Sequence, residues 1–159
     1  MRETEHFERV ALSVLHDADA ARFVAMVCAA CHLFDDLADR DREVTPAEVL
    51  DGFRVLLVEI PGNAFYRRNF EQLHPLMDSF ILSWGTANVF EAGDDEERLR
   101  VAYVIRSDYM NLMLRCAQLL HGFDYALRIS PVLRDMVHAE GWRGYLKALD
   151  VQRQHQKGT

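Results

Sequence analysis

The sequence predicts an all-α fold, a single-domain helical bundle of about six to seven helices over residues 1–150. Three observations predict it. No run alternates apolar and polar residues for long enough to make a strand. The four prolines and eight glycines fall almost entirely where helices should start or stop. The connections are short, which favours antiparallel neighbours in a bundle.

The elements follow in order. A first helix is expected over about 4–15 and a second over about 18–39. Thr45-Pro46-Ala47-Glu48 supplies a cap, a proline at the first helical position and a glutamate at the third. That is a capping box, and it starts a third helix over 46–60 that Pro61-Gly62 stops. A short helix near 63–70 leads to a fourth over about 73–91, stopped by Gly93. Asp94-Asp95-Glu96-Glu97 caps a fifth helix over 95–121, with acids facing the positive dipole end and Gly122 as its stop. Asp124 is placed to cap a further turn. Ser130-Pro131 starts a sixth helix over about 131–139, running on towards 149. The polar tail, residues 151–159, is expected to fray.

Half the residues are hydrophobic, enough to bury a core without covalent staples. The formal net charge of -7 and the scattered arginines exclude a general nucleic-acid binder, which needs a basic face. The uncharged run Phe23 to Phe34 is far too short to span a membrane. The first residues, Met1-Arg2-Glu3-Thr4-Glu5, lack the apolar stretch of a signal peptide. Cys28 and Cys31 lie in an apolar helical run and read as buried, reduced thiols, so the expected location is cytoplasmic.

The most informative segment is Asp35-Asp36-Leu37-Ala38-Asp39 at the end of the second helix. On an ideal helix with His32 at zero, Asp35, Asp36 and Asp39 fall at about -60°, +40° and -20°, sharing one face. A solvated amphipathic face is one explanation. Traced upstream, however, the same face becomes Ala21, Val24, Ala25, Cys28 and Ala29, small and apolar. A solvated face stays polar along its length. The second helix therefore reads as central, covered on both sides, with its carboxylates at the mouth of a cleft. Acids at the negative end of a helix dipole repel it and one another. A bound Mg²⁺ relieves both, and carboxylate oxygens with substrate phosphates are the ligands it prefers. Arginine pairing or partial exposure does the same work without metal.

The fifth helix is apolar nearly all round yet carries Arg106, Asp108, Asn111 and Arg115, the last three on one stripe. Buried charge must be paired or coordinated. Either Asp108 and Arg115 form a network, or Arg115 pairs with the acids of the second helix, or Asp108 and Asn111 contact a metal while an arginine holds a phosphate. Trp84, Asn88 and Glu91 share a stripe on the fourth helix, with Asn88 and Glu91 facing either the site or solvent. Arg67-Arg68 is a further anion-binding candidate or a solvated pair. No serine sits in a G-x-S-x-G elbow, and neither a Gly-rich phosphate loop nor HExxH occurs.

Asp35-Asp36-x-x-Asp39 resembles the DDxxD motif of trans-isoprenyl diphosphate and terpene synthases. That resemblance implies an isoprenoid-synthase-like or related helical fold, with Mg²⁺ and a substrate diphosphate at these residues. Neither a second DDxxD nor the Asn/Asp-Asp-x-x-Ser/Thr-x-x-x-Glu motif is present. The strings His32 to Asp39, Val58 to Arg67 and Tyr103 to Ser107 resemble a family of small helical phage and prophage proteins of unknown function. This second resemblance implies a bacterial or phage origin and a cytoplasmic location, and lends no activity. Asp36-x-x-Asp39 and Glu48-x-x-Asp51 are similar to the paired ExxE and ExxD motifs of all-α nucleotide pyrophosphohydrolases.

The leading expectation is a divalent-metal site at Asp35, Asp36 and Asp39 that handles a phosphate- or diphosphate-bearing small molecule. Asp35 and Asp39 are the expected ligands, and Asp36 is a third ligand or orients a water. Arg106, Arg115 or Arg67 neutralises the phosphate, with Asp108 and Asn111 in support. The rival is a non-catalytic helical interaction or oligomerisation protein without a metal site. No nucleic-acid or membrane partner is expected; a homo-oligomer fits either reading.

Overall fold

The structure is a computed structural model that describes residues 2–39 and 42–157, with side chains described for 5–38 and 42–154. Every regular element among the described residues is helical. They divide into two compact units, one formed by Met1–Phe70 with His155–Thr159 and the other by Glu71–Gln154. Each unit is a cluster of helices.

The first unit is built around one helix. α1 (Arg2–Leu15) packs along α2 (Ala18–Asp39). His16 between them takes a positive φ of 52°, and the Asp17 side chain accepts from the Ala20 N–H at 2.8 Å to cap α2. α2 also meets the segments that follow it. Phe23, Met26, Val27 and Ala30 are buried on one side, and Ala21, Val24, Ala25 and Cys28 on the other. This is the central, doubly covered helix that the small-residue face predicts.

α3 (Pro46–Arg54) has the predicted capping box: Thr45 Oγ1 accepts from the Glu48 N–H, and the Glu48 side chain accepts from the Thr45 N–H. The expected helix over 46–60 is not uniformly α. Val55–Glu59 forms a π turn, in which the Ile60 N–H reaches back to the Val55 carbonyl. Pro61 follows directly, and in an α-helix its ring would press on the Leu57 carbonyl; a π turn places an extra residue in that stretch. α4 (Ile60–Gly62) and α5 (Ala64–Arg68) complete the unit. Asn63 ties them down: its Oδ1 accepts from the Tyr66 N–H, and its Nδ2 donates to the Asp19 carbonyl at 2.9 Å. Tyr66 stacks on Phe23 with ring centroids 5.0 Å apart.

The second unit contains α6 (Phe70–Glu91) from Glu71, α7 (Glu96–Ile105), α8 (Met110–His121), α9 (Phe123–Val137) and α10 (Gly141–Lys157) as far as Gln154. Three boundaries differ from expectation. The helix expected over 95–121 is broken at Arg106–Tyr109. Ser107 Oγ donates to the Val104 carbonyl at 2.8 Å, and the backbone there makes i to i−3 bonds, tighter than α. Ser130-Pro131 does not start a helix: α9 begins at Phe123 and carries Pro131 inside it. The tail expected to fray is helical through Lys157. Arg153 holds it, donating to Asp94 at 3.0 Å and to the Glu91 and Gly93 carbonyls at the end of α6. A guanidinium there satisfies carbonyls that the helix end leaves unpaired.

Leu99, Tyr145 and Leu149 form a buried cluster with Tyr103, Trp142 and Leu146 packed around it. α8 buries Leu112, Met113, Cys116 and Ala117 and packs against α9. Among the described residues no helix is long and apolar enough to cross a membrane.

Candidate functional site

α2 loses its cover at its C-terminal end. Ala30 is buried, whereas Asp35 and Asp36 are half-buried and Phe34 and Leu37 are about half exposed. α3 runs beside this end because Gly52 has no side chain. A Cβ built there would stand 2.3 Å from Leu33 Cδ2, well inside contact distance. The close approach creates a cleft of about 740 Å³, a size common among ligand-binding clefts. Ala29, His32, Asp35 and Asp36 of α2 line one side, and Ala47, Glu48, Asp51 and Gly52 of α3 the other. Arg42, from the connection between the helices, also lines it.

Arg42 is the electrostatic centre of the cleft. Its Nη2 and Nε donate to Asp36 Oδ2 at 2.7 and 2.9 Å, and its Nη1 donates to Glu48 Oε1 at 2.8 Å. One guanidinium thus bridges a carboxylate of each helix. Glu48 is held far below the usual range, at about 2, first by the Thr45 backbone N–H, then by the Thr45 hydroxyl and Arg42. Asp51 accepts from Arg54 Nη2 at 2.8 Å, and Arg54 also pairs with Glu59.

His32 Nε2 lies 3.8 Å from Cys28 Sγ, one turn back on α2. Cys31 is pushed up to about 12 by burial first, then by Cys28 and Asp35, so its thiol stays protonated at neutral pH. Of the two thiols expected to be buried, Cys28 is buried and Cys31 is half-buried.

The sequence-predicted residues separate clearly. Asp35 and Asp36 meet in the cleft. Asp39 ends α2, and its side chain lies outside the described residues. Arg67 is exposed in the last turn of α5. Among the described residues no three His, Cys, Asp or Glu side chains are already gathered to hold a metal ion. Asp36 and Glu48 instead converge on Arg42, the arginine pairing that the sequence leaves open.

Arg106, Asp108, Asn111 and Arg115 belong to the second unit, where each is engaged. Arg106 pairs with Glu91, which also accepts from the Tyr145 hydroxyl. Burial and that carboxylate both push the Tyr145 phenol up. Glu91 is only 7 % exposed, so it does not face solvent. Asp108 accepts from Ser83 Oγ at 2.7 Å and from Asn111 Nδ2 at 3.3 Å. The guanidinium that reaches this group is that of Arg134, which donates to Asn111 Oδ1 and to Ser107 Oγ, itself 3.1 Å from His138 Nε2. Arg115 turns to Gln118 and Gln72. The stripe thus joins Asp108 to Ser83 and Asn111, and Asn111 to Arg134, while Arg115 bonds other partners.

Sequence reasoning passed over Arg42 and Gly52. Arg42 had one signal, its place among alternating charges, Asp39-Arg40-Asp41-Arg42-Glu43, between the two helices. The Glu48-x-x-Asp51 pair was visible through the pyrophosphohydrolase resemblance, and the structure sets it across the cleft from Asp35 and Asp36. No family model, no curated protein and no solved structure matches this chain.

Proposed function

We propose that the cleft between α2 and α3 binds a phosphate- or diphosphate-bearing small molecule through Mg²⁺. The observation behind this reading is that Asp35, Asp36, Glu48 and Asp51 line one cleft, with the Arg42 guanidinium among them. Carboxylates so crowded favour a cation, and Mg²⁺ takes carboxylate oxygens while leaving coordination sites for phosphate. Asp35 and Asp36 serve as ligands, joined by Asp39 on the same helix. In this reading the DDxxD spacing has the same role as in isoprenyl diphosphate synthases, and the separate resemblance to small phage and prophage proteins goes with a cytoplasmic location.

Arg42 acts as an exchangeable counterion. It bridges the two walls through Asp36 and Glu48, and with a cation held by the carboxylates it would be available to pair with a phosphate. Mg²⁺ held there would supply Lewis-acid polarisation of a phosphoryl oxygen or activation of a water.

Thermal melting with millimolar Mg²⁺, with pyrophosphate, and with both tests this. Ligand that binds only the folded chain raises the midpoint. The pair together is expected to raise it by about 2–4 °C, the size of a ~1 kcal/mol gain in a chain of this length. An unchanged midpoint, or an equal rise in the Asp35→Asn/Asp36→Asn variant, rejects the reading. The second reading, a non-catalytic interaction protein, draws support from the large exposed apolar side chains of α3.

A further inference from the structure

α2 carries a second set of donor atoms one turn before Asp35 and Asp36. Cys28 and His32 are four residues apart, so their side chains lie one above the other on the helix. Cys28 Sγ stands 3.8 Å from His32 Nε2. Cys28 is only 4 % exposed, whereas His32 is exposed and lines the cleft. A buried sulfur and a cleft-lining imidazole thus face each other.

Both atoms are metal donors, and their separation suits an ion between them. With metal–sulfur and metal–nitrogen bonds of about 2.3 and 2.0 Å, donors 3.8 Å apart subtend roughly 120° at the ion. That is the angle of trigonal coordination. A proton bridges the gap as a weak hydrogen bond, and a suitably soft ion can take its place. The donor pair decides which ion. Thiolate sulfur and imidazole nitrogen select soft ions, whereas Mg²⁺ takes oxygens. Among the described residues no group of three donors is gathered, and Zn²⁺ ordinarily asks for at least three protein ligands. A cuprous ion accepts two or three, and a small thiol reaching in from the cleft can supply the third. Charge agrees: Cu(I) and thiolate cancel at a buried sulfur, where a divalent ion would leave a net charge.

We infer that Cys28 and His32 form a binding site for a soft monovalent ion, Cu(I). Loading exchanges one cation for another without electron transfer. The Cys28 thiol gives its proton to water, a Cu–S bond replaces the S–H bond, the imidazole donates a lone pair, and copper stays monovalent. The ion enters from the side of His32, the exposed member of the pair. This site stands or falls independently of Mg²⁺ at Asp35 and Asp36.

Anaerobic titration of the full chain with Cu(I), in competition with a chromophoric cuprous chelator, tests the inference. Wild type is expected to withdraw one equivalent from the chelator. His32→Ala is expected to weaken binding at least tenfold with its helical circular dichroism retained, and Cys28→Ala is expected to abolish binding. His32→Met returns a soft donor and is expected to recover most of the affinity. Cys31→Ser is the control and is expected to bind as wild type does. His32→Ala, at an exposed position, decides the matter if Cys28→Ala fails to fold. X-ray absorption of the loaded wild type is expected to show both sulfur and nitrogen around copper. A wild type that withdraws no copper overturns the inference. So does equal affinity in His32→Ala, a loss confined to Cys31→Ser, or copper surrounded by sulfur alone.

Discussion

Gly52 of α3 lies against Leu33 of α2 so closely that a methyl group added to it would stand 2.3 Å from Leu33 Cδ2. This contact sets the spacing of the two walls that carry Asp36 and Glu48. Gly52→Ala gains up to about 1 kcal/mol of helix propensity. It also forces Leu33 or α3 to move, and overpacking of that kind costs roughly 1–3 kcal/mol. The expected net effect is a loss of about 1 kcal/mol, read as a lower melting midpoint. In a Leu33→Ala background the obstruction is gone, and Gly52→Ala should become stabilising. The same effect in both backgrounds would show that the contact does not set the helix spacing.

Glu48 supplies a pH signature. Its carboxyl sits at about 2 in the folded chain, against an ordinary 4.5. A depressed carboxylate contributes stability that is fully present above its unfolded value. That stability is lost as pH falls from about 4.5 through about 2. A side-chain carbon NMR titration should place the Glu48 midpoint near the lower value, with the start of α3 loosening across the same window. A midpoint near 4.5 would mean that the capping box and the Arg42 bridge do not persist in solution.

The second unit depends on a buried ion pair. Glu91 is 7 % exposed and carries both Arg106 and the Tyr145 hydroxyl. Glu91→Ala leaves a partly buried guanidinium without its carboxylate, a change that costs about 3–5 kcal/mol where such pairs are broken. Chemical denaturation should show a loss of that order, with Tyr145→Phe costing about 1 kcal/mol for one hydrogen bond. A Glu91→Ala loss below about 1 kcal/mol would place the pair in water instead.

Arg42 is the residue on which the two ligands should disagree. Arg42→Gln removes the resident counterion from Asp36 and Glu48, so affinity for Mg²⁺ alone is expected to rise several-fold. Affinity for pyrophosphate in the presence of Mg²⁺ is expected to fall, because the phosphate loses its guanidinium. Calorimetric titration of each separates the effects. Changes of the same sign in both would contradict an exchange of Arg42 between carboxylate and phosphate.

Much of the fold was legible because it rests on local signals. The Thr45-Pro46-Ala47-Glu48 box names its own helix start, and the small apolar face from Ala21 to Cys28 could only belong to a helix covered on both sides. What was not legible depended on contacts distant in sequence. Ser107 breaks the expected fifth helix by taking the Val104 carbonyl and meeting Arg134 of α9 and His138 just beyond it. Glu91 reads as a surface acid until Arg106 and Tyr145 enclose it. The cleft was half visible. Its α2 wall follows from helical spacing, but Arg42 lies beyond the helix end, where no periodicity assigns it a direction. Gly52 matters only because Leu33 faces it.

The most direct test of a cation site between α2 and α3 is the broadening of backbone amide signals by Mn²⁺ in place of Mg²⁺. At substoichiometric Mn²⁺ the account predicts losses centred on His32 to Asp36 and Ala47 to Gly52, reversed by excess Mg²⁺ and abolished in Asp35→Asn/Asp36→Asn. Broadening centred on other acidic stretches such as Asp94 to Glu97, or none at either wall of the cleft, would contradict it.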